Sequence, residues 1–115
     1  MTYVMTIDVH GIPPEKNRAV LNYMGVESHP ANGIYLHLTT VTDFGYRIVE
    51  IWDSKEGFQQ FLEQRMAPAI KALGIDRKTI ITVMPLHNFF APRLNELPGI
   101  VKFLPGSPKA QAKSM

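Results

Sequence analysis

Apolar and polar side chains alternate most clearly from Gly45 to Trp52, with Tyr46, Ile48, Glu50 and Trp52 on one face of an extended chain and Arg47, Val49 and Ile51 on the other. Both faces carry apolar side chains, so the strand is expected to be covered on both sides. Directly after it, Asp53-Ser54 reads as a turn, Ser54 as a helix N-cap and Glu56 as a first-turn acid that suits the helix dipole. Phe58, Phe61, Leu62, Met66, Ala69, Ile70 and Leu73 then recur at three- and four-residue spacing, with Arg65 at the margin of the stripe, until Gly74 ends the helix as a left-handed cap. Pro68 falls inside that stripe and predicts a kink, since it removes a backbone hydrogen bond while the periodicity continues in phase through it.

The remaining segments follow the same two periods. Thr2 to Val9 predicts a strand with Tyr3, Met5, Ile7 and Val9 on one face and Val4, Thr6 and Asp8 on the other. A turn at His10 to Pro13 leads to a helix opened by Pro14, carrying Ala19, Val20, Tyr23 and Met24 and closed by Gly25. Residues 26–32 read as a polar loop ending at Asn32-Gly33, and Ile34 to Thr40 as a strand whose Ile34, Leu36 and Leu38 oppose Tyr35, His37 and Thr39. The short turn Thr42 to Gly45 makes that strand and the next an antiparallel hairpin, and Thr79 to Leu86 predicts the fourth strand. Strand, helix, strand, strand, helix, strand is the ferredoxin-like α+β order: a four-stranded antiparallel sheet with two helices on one face.

This order leaves one sheet face bare. Tyr3, Met5, Ile7, Leu36, Leu38, Val49 and Ile51 are assigned to the helix-covered side, and Thr6, Asp8, Tyr35, His37, Tyr46, Ile48, Glu50 and Trp52 to the other, with strand four compatible with either phase. A bare face holding Trp52, Ile48 and two tyrosines is a large apolar patch, and it predicts a homodimer packed through the sheet faces. The compact domain is expected over residues 1–88. Residues 89–106, apolar pieces punctuated by proline, read as an arm lying on its own or the partner protomer, with Val101 to Leu104 as a short added strand, and residues 107–115 as a disordered tail.

Composition limits the function classes. The formal charge of +2, spread among acids up to Asp76, gives no basic surface for nucleic acid. There is no cysteine, hence no disulfide framework or thiolate chemistry. No run of about 18 apolar residues suggests a membrane span, and the N-terminal residues do not read as a signal peptide, so a cytoplasmic location is expected. No glycine-rich phosphate loop, nucleophile elbow or paired metal-ligand spacing occurs, so neither a nucleotide cofactor nor a metal is expected.

The hairpin, the run WDSKEGFQQFLEQRMAPAIKALG and the strand ending Pro85-Leu86-His87-Asn88 together resemble the dimeric α/β-barrel superfamily, and in particular small uncharacterised proteins near its antibiotic-biosynthesis-monooxygenase-like branch. The resemblance covers roughly residues 1–90. It implies two ferredoxin-like protomers packed sheet against sheet, with a ligand cavity between each sheet and its helices or loops. Activities across the superfamily run from cofactor-free oxygenation of polycyclic phenols to haem cleavage and muconolactone isomerisation. Haem-cleaving members use an axial histidine on a helix, and neither predicted helix here contains one.

The residues themselves suggest base chemistry. His37 could take a proton from a phenol or from a carbon next to a carbonyl, with the Glu50 carboxylate fixing its tautomer. These two are the candidate catalytic residues. Asp8, Tyr35, Tyr46, Trp52, His87 and Asn88 are the candidate substrate-binding residues, the aromatics by stacking and His87-Asn88 at a cavity mouth. The expected function is that of a cofactor-independent monooxygenase or isomerase acting on an aromatic or polyketide-like compound. The alternative is a non-catalytic protein that binds or senses a small molecule.

Overall fold

All four predicted strands form in the computed structural model, which describes residues 1–99: β1 Tyr3–His10, β2 Ile34–Val41, β3 Gly45–Trp52 and β4 Thr79–Pro85. They make one antiparallel sheet in the order β2-β3-β1-β4, so β1 and β3 are central and β2 and β4 are edges. Gly45 starts β3 at φ 151°, and a Cβ there would lie 2.2 Å from the Val9 carbonyl oxygen, so the hairpin can approach β1 only with glycine at that position.

Helix α1 (Lys16–Met24) ends on Gly25 at φ 69°, the left-handed cap expected from the sequence. Helix α2 (Lys55–Phe61) starts as predicted, with the Ser54 hydroxyl accepting from the Gly57 N–H at 3.0 Å. The kink expected at Pro68 takes a specific form. A π-helical turn, Leu62–Met66, separates α2 from α3 (Ala67–Ala72), with the Ala67 N–H reaching back five residues to the Leu62 carbonyl. Widening the turn ahead of the proline accommodates a ring that an uninterrupted helix would press against the carbonyl four residues back. Phe58, Phe61, Met66 and Ala69 stay buried across the irregularity, so the apolar stripe is continuous.

Both helical segments cover one face of the sheet; on β1 it is the face assigned from sequence, with Met5 and Ile7 inward and Thr6 and Asp8 outward, whereas on β3 and for His37, Leu36 and Leu38 of β2 the assignment is reversed. Across β1 and β3, Met5 stands opposite Glu50, Ile7 opposite Ile48 and Val9 opposite Tyr46. The buried cluster accordingly joins Met5, Ile7, Val9, Tyr46, Ile48 and Trp52 to Phe58, Phe61 and Met66. The bare face instead carries Val4, Thr6 and Asp8 of β1, Leu36 and Leu38 of β2, Arg47, Val49 and Ile51 of β3, and Ile80 and Met84 of β4. Two features concealed this phase. Strand β3 is apolar on both faces, and a register shift between Ile34 and Leu36 inserts Tyr35 as a bulge, so that Ile34 pairs with Trp52 on one face and Leu36 with Ile51 on the other.

Residues 86–99 form no strand. Phe89, Phe90, Leu94 and Leu97 are exposed, and Leu94–Gly99 forms a short 3-10 segment. The expected strand at Val101 to Leu104 and the tail at 107–115 lie outside the described residues. Among the described residues no helix is long and apolar enough to cross a membrane.

Candidate functional site

A carboxylate in the middle of the core is the feature on which the site is built. Glu50 occupies a central strand and is only 3% exposed. An ionised carboxylate there requires hydrogen-bond donors on its oxygens. The sheet supplies them from two directions. Trp52, two residues along and on the same face, donates its Nε1–H to Oε1 at 2.9 Å. His37, directly opposite Glu50 in the β2–β3 pairing, places Nδ1 2.9 Å from Oε2. An ionised carboxylate can only accept, so this contact places a proton on Nδ1, and in the neutral ring Nε2 then keeps its lone pair.

His37 and Glu50 form part of the wall of a cavity of about 410 Å³ at the β2 edge, between the sheet and the helix layer. Leu21 and Met24 of α1, Val26, Pro30 and Ala31 of the following loop, and Phe61 of α2 supply most of the remaining wall. Glu27 also faces it and is ion-paired with Arg18, while Arg65 donates to the Met24 carbonyl oxygen at 2.7 Å and ties the π-helical turn to the end of α1. Among the described residues, no lysine or arginine lines the cavity. It therefore suits a neutral, largely apolar molecule with one acidic O–H or C–H, and disfavours phosphates and carboxylates. Among the described residues, no three His, Cys, Asp or Glu side chains converge as a metal site.

The sequence-predicted residues separate into two groups. His37, Glu50 and Tyr35 are brought together at the cavity, with Tyr35 largely exposed beside the bulge. Trp52 is fully buried against Phe58 and Phe61, with ring centroids 5.6 and 5.3 Å away, so it anchors Glu50 and offers no open face for stacking. Tyr46 is also a core residue, and burial pushes its phenol up to about 12. Asp8 lies on the opposite face of the sheet, where Arg47 donates to its two oxygens at 2.6 and 3.0 Å and holds its carboxyl below the usual range. His87 and Asn88 follow β4, at the sheet edge away from β2, and are exposed.

Two polar residues beside His37 were not among the site residues expected from sequence: Asn17, and Thr39, which the sequence places on the His37 face of its strand without a role. Asn17 is buried on α1 and donates its Nδ2–H to Thr39 Oγ1 at 3.2 Å, and Thr39 Oγ1 lies 3.5 Å from His37 Nε2. The available signal was Asn17 four residues before Leu21 and seven before Met24, on the helix face that lines the cavity.

No family model matches the sequence, and comparison with curated proteins gives no match. Solved structures do match in fold. A proposed antibiotic biosynthesis monooxygenase from Deinococcus radiodurans superposes with a TM-score of 0.57 at 18% identity, covering 79% of this chain and 97% of that one. SnoaB, a cofactor-independent oxygenase from Streptomyces nogalater, gives 0.54 at 21% identity over 77% of this chain and 94% of its own. Rv0793 from Mycobacterium tuberculosis gives 0.56 at 15% identity over 78% and 98%. The chain thus has the ferredoxin-like fold of the antibiotic-biosynthesis-monooxygenase-like proteins that residues 1–90 resemble, and at these identities the likeness is one of fold.

Proposed function

We propose that the protein is a cofactor-independent monooxygenase, or an isomerase using the same base, acting on a neutral aromatic or polyketide-like compound held in the cavity beside β2. The single observation that carries this reading is the 2.9 Å contact between His37 Nδ1 and the buried Glu50 carboxylate at the cavity wall. It leaves Nε2 as a lone pair for a phenolic O–H or an activated C–H. Once His37 has taken the proton, Glu50 stabilises the imidazolium and the substrate carries the negative charge.

In the oxygenase reaction that carbanion or phenolate gives an electron to dioxygen. One oxygen atom becomes the carbonyl oxygen on the former methylene carbon, and the other leaves as water with the two hydrogens. In the isomerase reaction His37 returns the proton to a different carbon. The fold shared with a cofactor-independent oxygenase is compatible with either course. The mainly apolar wall also supports a second reading, in which the same cavity binds or senses such a compound without converting it.

The bare sheet face completes the proposal. Leu38, Ile80 and Met84 are exposed on it beside Val4, Val49 and Ile51, an apolar surface that a second copy would cover to give a homodimer through the sheets.

Native mass spectrometry of gently purified protein, followed by oxygen uptake with a tricyclic phenol bearing an activated methylene, tests the function. His37→Ala and Glu50→Gln are expected to lower uptake by about 100-fold or more while the far-UV spectrum is kept. Uptake unchanged in both variants would overturn the assignment of the base. A retained ligand of a few hundred daltons with no turnover of any phenol would favour the binding reading.

A further inference from the structure

The line of polar contacts does not stop at the histidine, and it runs from the exposed ring edge of His37 back to the buried Asn17. Asn17 Nδ2 donates to Thr39 Oγ1, Thr39 Oγ1 faces His37 Nε2, His37 Nδ1 donates to Glu50 Oε2, and Trp52 Nε1 donates to Glu50 Oε1. We infer that Thr39 and Asn17 are positioning residues that hold His37 in the tautomer with its lone pair on Nε2.

The direction of each link follows from the chemistry of its neighbour. The Asn17 amide nitrogen can only donate, so it occupies an acceptor position on the Thr39 oxygen and leaves the hydroxyl proton free to point at Nε2. A hydroxyl proton there favours the unprotonated nitrogen, and it does so from the side of the ring opposite the Glu50 contact. The two ends of the imidazole are thereby held in the same sense. At 3.5 Å the Thr39 link is the longest of the series, so a substrate hydroxyl arriving at Nε2 displaces the weakest of these bonds.

Burial gives an independent argument. Asn17 is 1% exposed, and its Oδ1 has no hydrogen-bond partner among the described residues. A leucine, like Leu21 one turn on, would fill the same helix face without leaving a buried amide oxygen unsatisfied. The amide is retained at a cost, and the one bond it makes is the bond that orients Thr39. His37 and Thr39, two apart on β2, share one face of the strand, and Asn17 meets Thr39 there.

The inference rests on His37 as the base of the proposed function, and it is tested without turnover. Two-bond proton–nitrogen correlation spectra of the full-length, histidine-labelled protein report which ring nitrogen of His37 is protonated when the ring is neutral. The native chain and Thr39→Ser are expected to show predominantly the Nδ1–H form. Thr39→Val keeps the β-branched shape and removes the hydroxyl, and it is expected to lower the ratio of that form to the other by roughly fivefold. Asn17→Leu is expected to move the ratio in the same direction by less. His37 spectra that coincide in the native chain, Thr39→Val and Asn17→Leu, or a native ring protonated at Nε2, would overturn the inference. A tautomer shift in Thr39→Val alongside an absence of turnover in every form would leave it standing and remove the catalytic reading instead.

Discussion

Trp52 and Glu50 lie two residues apart on one face of β3, and the indole Nε1–H meets the carboxylate at 2.9 Å in a place water does not reach. The His37 side of the same carboxylate is different, because the His37 side chain is 29% exposed and the cavity opens beside it. Losing either donor removes one hydrogen bond, but only the loss of Trp52 leaves an oxygen that solvent cannot satisfy. Trp52→Phe is therefore expected to cost more stability than His37→Ala, by roughly 1–3 kcal/mol beyond any loss of packing. Thermal unfolding checks the order. The double variant Trp52→Phe/Glu50→Leu should recover part of the loss, since the unpaired carboxylate is gone. Equal effects of the two single changes would show that Glu50 is solvated from both sides.

Alkaline pH tests the burial of Tyr46. Its folded pKa is raised from 10.0 to about 12 by desolvation, so the folded state resists losing the phenolic proton while the unfolded chain does not. Stability from this group is full below about pH 10 and is lost as pH rises from there toward 12, to a limit on the order of 2 kcal/mol. Denaturant midpoints measured from pH 9 to 12 should fall more steeply for the native chain than for Tyr46→Phe. Parallel curves would place the phenol in contact with solvent.

The strand and helix order was legible because period two and period three-to-four patterns are local, and because Ser54, Gly25 and Gly74 mark helix ends by their own chemistry. The pairing of His37 with Glu50 was legible too, since residues opposite each other in a tight hairpin share a face whichever face is covered. The covered face was legible on β1, where Met5 and Ile7 point inward as assigned, but not on β2 and β3. Val49 and Ile51 are as apolar as Tyr46 and Ile48, and a glutamate among core positions reads as a mark of solvent unless its donors are known. The Tyr35 bulge then reversed the phase of β2 along its length, moving Leu36 and Leu38 away from Ile34. Trp52 was misplaced with the rest of its face of β3, whereas Asp8 does lie on the bare face assigned to it and is separated there from His37 and Glu50. Asn17 was missed because its partner, Thr39, lies 22 residues away and nothing local connects them.

Acid pH reports on the bare face. Arg47 hydrogen-bonds Asp8 and lowers its carboxyl pKa below the ordinary 3.8, so the pair contributes stability above that value and the contribution is lost as pH falls through the folded pKa. Both side chains are partly open to solvent, so the effect in the isolated protomer is small. Asp8→Asn should flatten the decline in stability below about pH 4, as read from acid titrations monitored by circular dichroism. If a second copy covers this face, the pair is shielded from solvent, and the difference between native chain and variant should grow with protein concentration.

The last prediction separates association from folding. Leu38 is 42% exposed in the protomer, at an edge strand, opposite Val49 on the bare face. A lysine in its place keeps its ammonium in water while the protomer is alone, so Leu38→Lys should change protomer stability by no more than about 0.5 kcal/mol. Against a second sheet, the same ammonium would be buried without a partner, at a cost of several kcal/mol. Sedimentation equilibrium should therefore show a dimer constant weakened by at least about 100-fold, with unfolding of the dilute protein nearly unchanged. Undiminished association would mean that the sheets do not meet at Leu38. Equal loss of association and of protomer stability would mean that Leu38 supports the fold from a side the strand pairing does not predict.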